Sequence, residues 1–268
     1  DEGERKSKYI IEYLERVCAP EELKDFGYIS IGGADGSELE YILSNTPINH
    51  GVLLEYSDAA SNIARKKAEK LKSKDSNLKL DVMQGDALAR LSDATEALKK
   101  SGKKGVILSA QAILHELPSR SPLFEKLKFS GILGLVYKDF DHGVFVCREP
   151  CEPFGWPKDI RLKIPGVEAD MLTNLCELIR DKLGMKSNIT ALAGDWVMMD
   201  SVLAVESLHK AIRQNPPKRF QYELGEQLTS FEPTKVGSEL RHYLDCTPHV
   251  ERVTTGGFRK SYIDFSVQ

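Results

Sequence analysis

The stretch "YISIGGADGSELEYIL", residues 28–43, joins an apolar strand to a helix through a turn that contains three glycines. The run before the turn is short and apolar, as in a buried strand, and the pattern after it has the helical period. Gly32, Gly33 and Gly36 lack the Cβ atoms that would keep a ligand away from the main chain. Such a turn is where ligands bind in open parallel sheets, although a glycine-rich turn alone is weak evidence.

Short apolar strands alternate with helical segments on either side of this turn. After the strand at 28, further strands are predicted at 51–57, 78–87, 105–111 and 143–149. Because parallel strands must be joined by crossovers, the alternation predicts a doubly wound, mostly parallel α/β sheet of the Rossmann-like type. Two strands in the tail would bring the sheet to seven.

We expect residues 1–268 to form a single domain. Three segments of it lie outside the alternation of strands and helices. Residues 1–24 are predicted to form a helical cap, since apolar positions recur at the helical period from 7 to 18. Residues 151–240 begin with a proline-rich run and continue with two amphipathic helices, which predicts a helical insertion after the fifth strand. Residues 241–268 alternate like two strands around Gly256 and Gly257, which predicts a hairpin.

The composition indicates a folded protein whose net charge is too small to attract polyanions or charged membranes. The chain has 268 residues, of which 41% are hydrophobic and 29% charged, and its net charge is −3. Neither nucleic acid nor an anionic membrane is therefore an expected partner. Five cysteines are scattered without a C-x-x-C pair, as in a reducing compartment. With no apolar run of signal or membrane-span length, we expect a cytoplasmic protein.

Two carboxylates follow the next two strands at the same edge of the predicted sheet. Glu55 ends the second strand in "LLEYS", where an acid can accept hydrogen bonds from both hydroxyls of an adenosine ribose. Asp86 follows the third strand in "QGDA", where a carboxylate can accept the exocyclic amine of adenine. Either acid alone is typical of a solvated loop. Together with the glycine turn, they predict a site for an adenine nucleoside.

These residues resemble the class I S-adenosylmethionine-dependent methyltransferases, over roughly residues 25–150. "YISIGGADGS" looks like the family's first motif, "LLEYS" like its second-strand acid, "QGDA" like its third-strand motif and "ILSAQAILHELP" like its fourth-strand segment. The resemblance implies S-adenosylmethionine as the cofactor and methyl transfer as the reaction.

Within this resemblance, each candidate residue has an implied place around the cofactor. The first turn would pass the methionine part, Glu55 would hold the ribose, Tyr56 would flank adenine, and the end of the third strand would contact the adenine amine. The fourth strand would line the opposite side. The implied cofactor-binding residues are Gly32, Gly33, Ala34, Asp35, Gly36, Glu55, Tyr56, Asp86, Ala87, Ser109, Ala110 and Gln111.

Two residues depart from the first motif of that family. Ala34 occupies the position of the middle glycine, and Ser30 lies where an acidic residue commonly orients the amine of the cofactor. Asp35 is a candidate substitute for that acid. These departures keep open a second hypothesis, a non-catalytic subunit that retains the fold and binds a partner.

A nicotinamide dinucleotide would use the same turn and the same second-strand acid. The spacing G-G-A-D-G lacks the G-x-G-x-x-G pattern that places a pyrophosphate on the helix N-terminus. The helix also begins with "SELE", whose carboxylates would repel a diphosphate, whereas a sulfonium is a cation. The acidic residues at the start of this helix therefore favour S-adenosylmethionine, and a nicotinamide-dependent dehydrogenase is the less favoured hypothesis.

Residues after the fourth and fifth strands are candidates for acting on a methyl acceptor. His115 and Glu116 follow the fourth strand, and an imidazole there could remove a proton from the acceptor. An ordinary loop role suits them equally well. Arg148 and Glu149 end the fifth strand, where they could bind substrate or pair with each other.

The segment expected to select the acceptor is not basic. Residues 151–250 contain 12 Lys or Arg and 14 Asp or Glu, so a small molecule is a better candidate than tRNA or DNA. The pattern of His242, Cys246 and His249 lacks a fourth ligand, and no metal is expected. The sequence does not indicate an oligomeric state.

Overall fold

The computed structural model describes residues 2–111, 113–150, 158–164, 166–212, 224, 226–227, 249–253 and 262–266. The chain divides into two compact units, and each is described by itself. The first comprises Asp1–Glu149, Pro233–Val253 and Ile263–Gln268, and the second comprises Pro150–Glu232 and Thr254–Tyr262.

The first unit alternates helices and strands as the sequence predicts. Its elements up to residue 150 are α1 (Glu2–Val17), α2 (Pro20–Leu23), β1 (Phe26–Ile31), α3 (Ser37–Asn45), β2 (His50–Glu55), α4 (Asp58–Lys74), β3 (Lys79–Gln84), α5 (Ala87–Lys100), β4 (Gly105–Gln111), α6 (Leu117–Arg120), α7 (Phe124–Tyr137) and β5 (His142–Pro150). The predicted N-terminal amphipathic helix corresponds to α1.

The five strands form a parallel sheet in the order β3-β2-β1-β4-β5. Strand β1 lies at the centre, where Ser30 pairs with Leu53 of β2 on one side and with Ser109 of β4 on the other. The order of strands reverses at β1, so the carboxyl ends of β1 and β4 flank the crevice in which open sheets bind ligands. The predicted parallel α/β fold is confirmed.

Helices bury this sheet, as continuous apolar strands require. Every residue of β1 and β2 is buried. Helix α1 contributes Ile10 and Leu14 to a core that also contains Tyr28 and Leu39. No helix in the described part of the chain is both long enough and apolar enough to cross a membrane.

The second unit contains a small sheet that the sequence analysis did not predict. Its described elements are β6 (Asp159–Leu162), α8 (Ala169–Lys182), β7 (Thr190–Leu192), β8 (Trp196–Asp200) and α9 (Ser201–Ile212). The strands pair antiparallel in the order β6-β8-β7. The two predicted helices of the 151–240 segment are present. Strands of three to five residues are too short to show a clear alternation.

Two further strands lie near the end of the chain, β9 (His249–Val253) and β10 (Tyr262–Ser266). The order of the large sheet continues from β5 to β10 and then to β9. The predicted turn around Gly256 and Gly257 lies outside the described residues. The predicted hairpin and the count of seven strands therefore stay predictions. The register is established for the five parallel strands β1 to β5.

Gly32 and Gly102 form a matched pair for measuring how tightly the first turn is packed. Both have a positive φ, +63° and +79°, so an added Cβ strains either backbone. A Cβ on Gly32 would lie 2.6 Å from Cγ1 of Ile113, whereas one on Gly102 would meet nothing within 4 Å. We expect Gly32→Ala to lower the free energy of unfolding by about 1–3 kcal/mol more than Gly102→Ala in urea denaturation. Equal losses would show that Ile113 moves aside without cost.

Candidate functional site

A cavity of about 250 Å³ opens at the carboxyl ends of the central strands. The first turn, the ends of β2 and β3 and the loop after β4 all contribute to its wall, which places it at the crevice expected for this sheet. Apolar side chains of Ile31, Leu54 and Ile113 form part of the lining. The predicted site residues that line it are Gly32, Ala34, Glu55, Tyr56, Asp86, Ala87 and Glu116.

The first turn follows a left-handed backbone path at three positions. The φ angles of Gly32, Ala34 and Gly36 are +63°, +49° and +76°. The N–H of Gly32 donates to the carbonyl of Leu54 at 2.8 Å, which extends the pairing of β1 with β2 into the turn. Alanine seldom adopts this conformation, because its Cβ approaches the following carbonyl. Ala34 thus keeps the backbone shape of a glycine at the position where the sequence departs from the methyltransferase motif.

Glu55 fastens this turn to the end of β2. Its carboxylate, in a residue only 9% exposed, accepts the N–H of Ala34 at 3.0 Å and the N–H of Ser57 at 2.7 Å. Ser57 is the N-cap of α4. A carboxylate has about four acceptor positions, so two remain for ligand hydroxyls.

Tyr56, the next residue, is the large aromatic side chain at this edge of the cavity. It is 65% exposed, whereas most tyrosines bury their rings for packing. An exposed ring beside a carboxylate at a cavity is suited to stacking on a planar base. Its position agrees with the predicted role beside adenine, which stays a prediction.

Asp86 serves the protein's own backbone as the N-cap of α5. Its Oδ1 accepts the N–H of Leu88 at 2.9 Å, and its Oδ2 accepts the hydroxyl of Ser121 at 2.8 Å. Both oxygens therefore have one partner each and retain one acceptor position each. Asp86 and Ala87 lie on the cavity wall, where the sequence places them.

Asp35 lies in the first turn but is not among the residues that line the cavity. Its carboxylate accepts the N–H of Ser37 at 3.1 Å, the hydroxyl of Ser37 at 3.0 Å and the ammonium of Lys67 at 2.7 Å. Lys67 also contacts the Ser37 hydroxyl. Burial alone would raise the pKa of Asp35, but the hydrogen bonds from Lys67 and Ser37 outweigh it, and the pKa is lowered. Asp35 thus accepts the N–H of the first residue of α3 and attaches the turn to α4.

A buried carboxylate that the sequence analysis did not select lies beneath the turn. Glu38, in the first turn of α3, is 8% exposed, and its Oε1 accepts the hydroxyls of Tyr28 at 2.9 Å, Ser109 at 3.0 Å and Ser30 at 3.3 Å. Burial, together with the negative charge of Glu38, raises the pKa of Tyr28 well above its usual value, so the phenol remains a donor. The signal in the sequence was a row of hydroxyl side chains on two otherwise apolar strands.

The remaining predicted residues of the first turn and of β4 lie around this cluster. A Cβ on Gly33 would be 2.5 Å from Oγ of Ser30, so the turn rests directly on that side chain. Ser109 and Ala110 are fully buried, whereas Gln111 is half-buried at the end of β4. Contact of Ser109, Ala110 and Gln111 with a cofactor stays a prediction.

His115 and Glu116 lie in the loop between β4 and α6. His115 is 8% exposed, while Glu116 is half-buried and lines the cavity. Arg148 and Glu149 belong to the last part of β5, where Arg148 pairs with Gln111. Their side chains lie outside the described residues. His242 and Cys246 are outside them as well.

The amino-acid sequence matches no protein-family model and no curated protein. The small RNA methyltransferase HEN1 aligns with 98% of this chain at a TM-score of 0.50 and 13% identity, and this chain spans 25% of that protein. The methyltransferase domain of bacterial CtHen1 has a TM-score of 0.49 and 9% identity, over 98% of this chain and 96% of its own. The O-methyltransferase from Bacillus cereus in complex with SAH has a TM-score of 0.45 and 12% identity, over 98% and 80%. The likeness to HEN1 shows the fold alone, which this chain shares with that methyltransferase.

Lys67→Met tests the contact that fixes the first turn to α4. The pKa of Asp35 is lowered by folding, so its stabilisation is complete above the unfolded-state value of about 3.9 and is lost as the pH falls through the folded value. We expect the stability difference between wild type and Lys67→Met to be largest near neutral pH and to close in acid, measured by urea denaturation from about pH 7 to about pH 2.

The matched background for this measurement is Asp35→Asn, which removes the titrating group. In that background Lys67→Met should change stability by an amount independent of pH. A pH-independent difference in the wild-type background would contradict the contact between Lys67 and Asp35.

Proposed function

We propose that this chain binds S-adenosylmethionine and transfers its methyl group to a small molecule. The observation that carries the proposal is the meeting, at one cavity, of a left-handed turn, the carboxylate of Glu55 and the exposed ring of Tyr56. An adenine nucleoside needs acceptors for its ribose hydroxyls, a flat surface for its base and open main chain beside its 5′ substituent. The residues present fit these needs.

The size of the cavity assigns it to one part of the cofactor. Its volume of about 250 Å³ is slightly below the range of about 300–1,000 Å³ that is typical of small-molecule sites. We therefore place the adenosine part there, with the remaining acceptor positions of Glu55 directed at the ribose and those of Asp86 at the adenine amine. The methionine part would extend over the first turn.

The N-terminus of α3 argues against a dinucleotide. A pyrophosphate would bind the free N–H groups at this helix end. The carboxylate of Asp35 already accepts the N–H of Ser37 there, and a second anion would be repelled. S-adenosylmethionine has no phosphate, so this end of the helix can keep its own carboxylate.

When bound, the cofactor would supply an electrophilic methyl group on a sulfonium. The chain's contribution would be to hold the acceptor in line with that methyl, which can account for much of the acceleration. We assign the removal of a proton, for an acceptor that must lose one, to His115 or Glu116, of which Glu116 lines the cavity. Arg148 and Glu149 stay proposed substrate contacts.

A small-molecule acceptor and a cytoplasmic location complete the proposal. The balance of 12 basic and 14 acidic residues over 151–250 offers little attraction for a polyanion. Cys18 and Cys176 are buried free thiols, as in proteins of a reducing compartment. An RNA acceptor is less favoured by these charges, and a protein acceptor is the other less favoured alternative.

Calorimetry with S-adenosylmethionine and S-adenosylhomocysteine tests the proposal directly. We expect both to bind with dissociation constants of about 1 μM to 1 mM, the range usual for enzyme substrates, and NAD to give no heat. Neither heat nor a thermal shift at about 1 mM of either compound would overturn it.

A second candidate function follows from the strained alanine in the turn and the absence of an acid at Ser30. A binding subunit that retains the cofactor without transferring its methyl group would give the same calorimetric result. It is distinguished by incubation with methyl-labelled S-adenosylmethionine and a panel of hydroxyl, amine and thiol acceptors. Transfer to any of these supports the enzyme.

Tyr56→Ala should weaken nucleoside binding without weakening the fold. The ring is 65% exposed, so its removal should leave the unfolding free energy within about 0.5 kcal/mol. Loss of stacking on a base should cost about 1–3 kcal/mol of binding free energy for S-adenosylhomocysteine, measured by calorimetry. Ile63→Ala, on α4 and 49% exposed, is the control and should leave binding unchanged. Unchanged affinity in Tyr56→Ala would place the base elsewhere.

A further inference from the structure

Three hydroxyl groups converge on one oxygen of a buried carboxylate beneath the first turn. Oε1 of Glu38 accepts hydrogen bonds from Tyr28, Ser30 and Ser109, and all four residues are at most 8% exposed. None of the four lines the cavity. A buried charge is costly, and an apolar side chain could often fill such a position without that cost. We therefore expect the carboxylate of Glu38 to have a role besides packing.

The carboxylate dictates which way its hydroxyl partners point. An ionised carboxylate only accepts hydrogen bonds, so Ser109 must direct its hydrogen at Glu38. Ser109 then offers only lone pairs to its other two neighbours, the hydroxyl of Tyr28 and the side-chain amide of Gln111. Nε2 of that amide lies 3.5 Å from Oγ of Ser109 in a long hydrogen bond.

The same logic fixes the two ends of the Gln111 amide. Its NH2 group must face Ser109, since the serine can only accept there, and its oxygen must face the opposite way. Ser109 is fully buried and Gln111 is half-buried, so the opposite way is away from the core. Gln111 is the last residue of β4, at the carboxyl end that flanks the crevice beside β1. It does not line the cavity assigned to the adenosine part, so its contact would be with the methionine part.

We propose that Glu38 is a positioning residue that acts through Ser109 to hold the amide oxygen of Gln111 as an acceptor for the ammonium group of S-adenosylmethionine. The inference rests on the proposed function and adds one specific contact to it. Position 30 carries a serine and not the acid that is common there in the family that the sequence resembles. The amino group of the cofactor would therefore be recognised by the neutral amide oxygen of Gln111, and the negative charge of Glu38 would lie two hydrogen bonds away.

Two ligands that differ in the amino-acid part test this role. S-adenosylhomocysteine carries the ammonium, whereas 5′-deoxy-5′-methylthioadenosine has the same nucleoside and sulfur without it. Glu38→Gln keeps the shape of the side chain but adds donors that release the orientation of Ser109. We expect it to weaken binding of S-adenosylhomocysteine about tenfold and to change that of methylthioadenosine less than about twofold.

Further variants separate the relay from a general effect on the fold. Ser109→Ala and Gln111→Leu should show the same selective loss, and Glu38→Gln combined with Gln111→Leu should lose no more than either alone. Ser109→Ala also serves as the test if Glu38→Gln does not fold. Glu40→Gln, on the same helix, is the control and should leave both affinities unchanged.

The outcomes distinguish this inference from the function on which it rests. Equal losses for both ligands would show that Glu38 only stabilises the fold, which overturns the relay and leaves the proposed function standing. Failure of the wild type to bind either ligand would overturn both.

A measurement without ligand tests the relay on its own. The side-chain amide signals of Gln111, assigned by their loss in Gln111→Leu, should shift in Glu38→Gln and in Ser109→Ala. Signals identical to those of the wild type would show that no such relay exists.

Discussion

The hydrogen bond from the N–H of Ala34 to the carboxylate of Glu55 is the contact on which the site depends. It joins the turn after β1 to the end of β2, and it forms because parallel pairing brings the end of β2 beside that turn. Ala34 itself is exposed, whereas the carboxylate of Glu55 is buried, and a buried charge that loses a hydrogen-bond partner is destabilised. The same carboxylate is then already in place, and largely buried, for the hydroxyls of a ligand.

Four carboxylates around the turn each accept hydrogen bonds from N–H or O–H groups of the protein itself. Glu55 and Asp86 hold backbone N–H groups at the starts of two helices, Asp35 holds the start of α3, and Glu38 holds three hydroxyls below the turn. Such contacts fix side-chain positions before any ligand arrives, which lowers the entropic cost of binding. The exposed ring of Tyr56 contrasts with these fixed groups.

The sequence predicted the fold well because its signals were local. Apolar runs, helical periods and the glycines of the first turn are all readable within about ten residues, and the strand-end positions of Glu55 and Asp86 followed from them. Glu38 was considered only as one of the charges at the start of a helix, because its hydroxyl partners come from β1 and from β4, seventy-one residues away. The cap made by Asp86 and the contact of Asp35 with Lys67 likewise depend on three-dimensional neighbours. The small sheet of the second unit was missed because its strands are too short for a pattern.

Ala34 has a consequence for how this protein can vary. It adopts a left-handed conformation, with φ of +49°, although its Cβ makes that conformation unfavourable by about 1–2 kcal/mol. Glycine would relax the loop but would also loosen the unfolded chain. Since one base change converts an alanine codon into a glycine codon, a stiffer and a softer version of this loop are neighbouring genotypes.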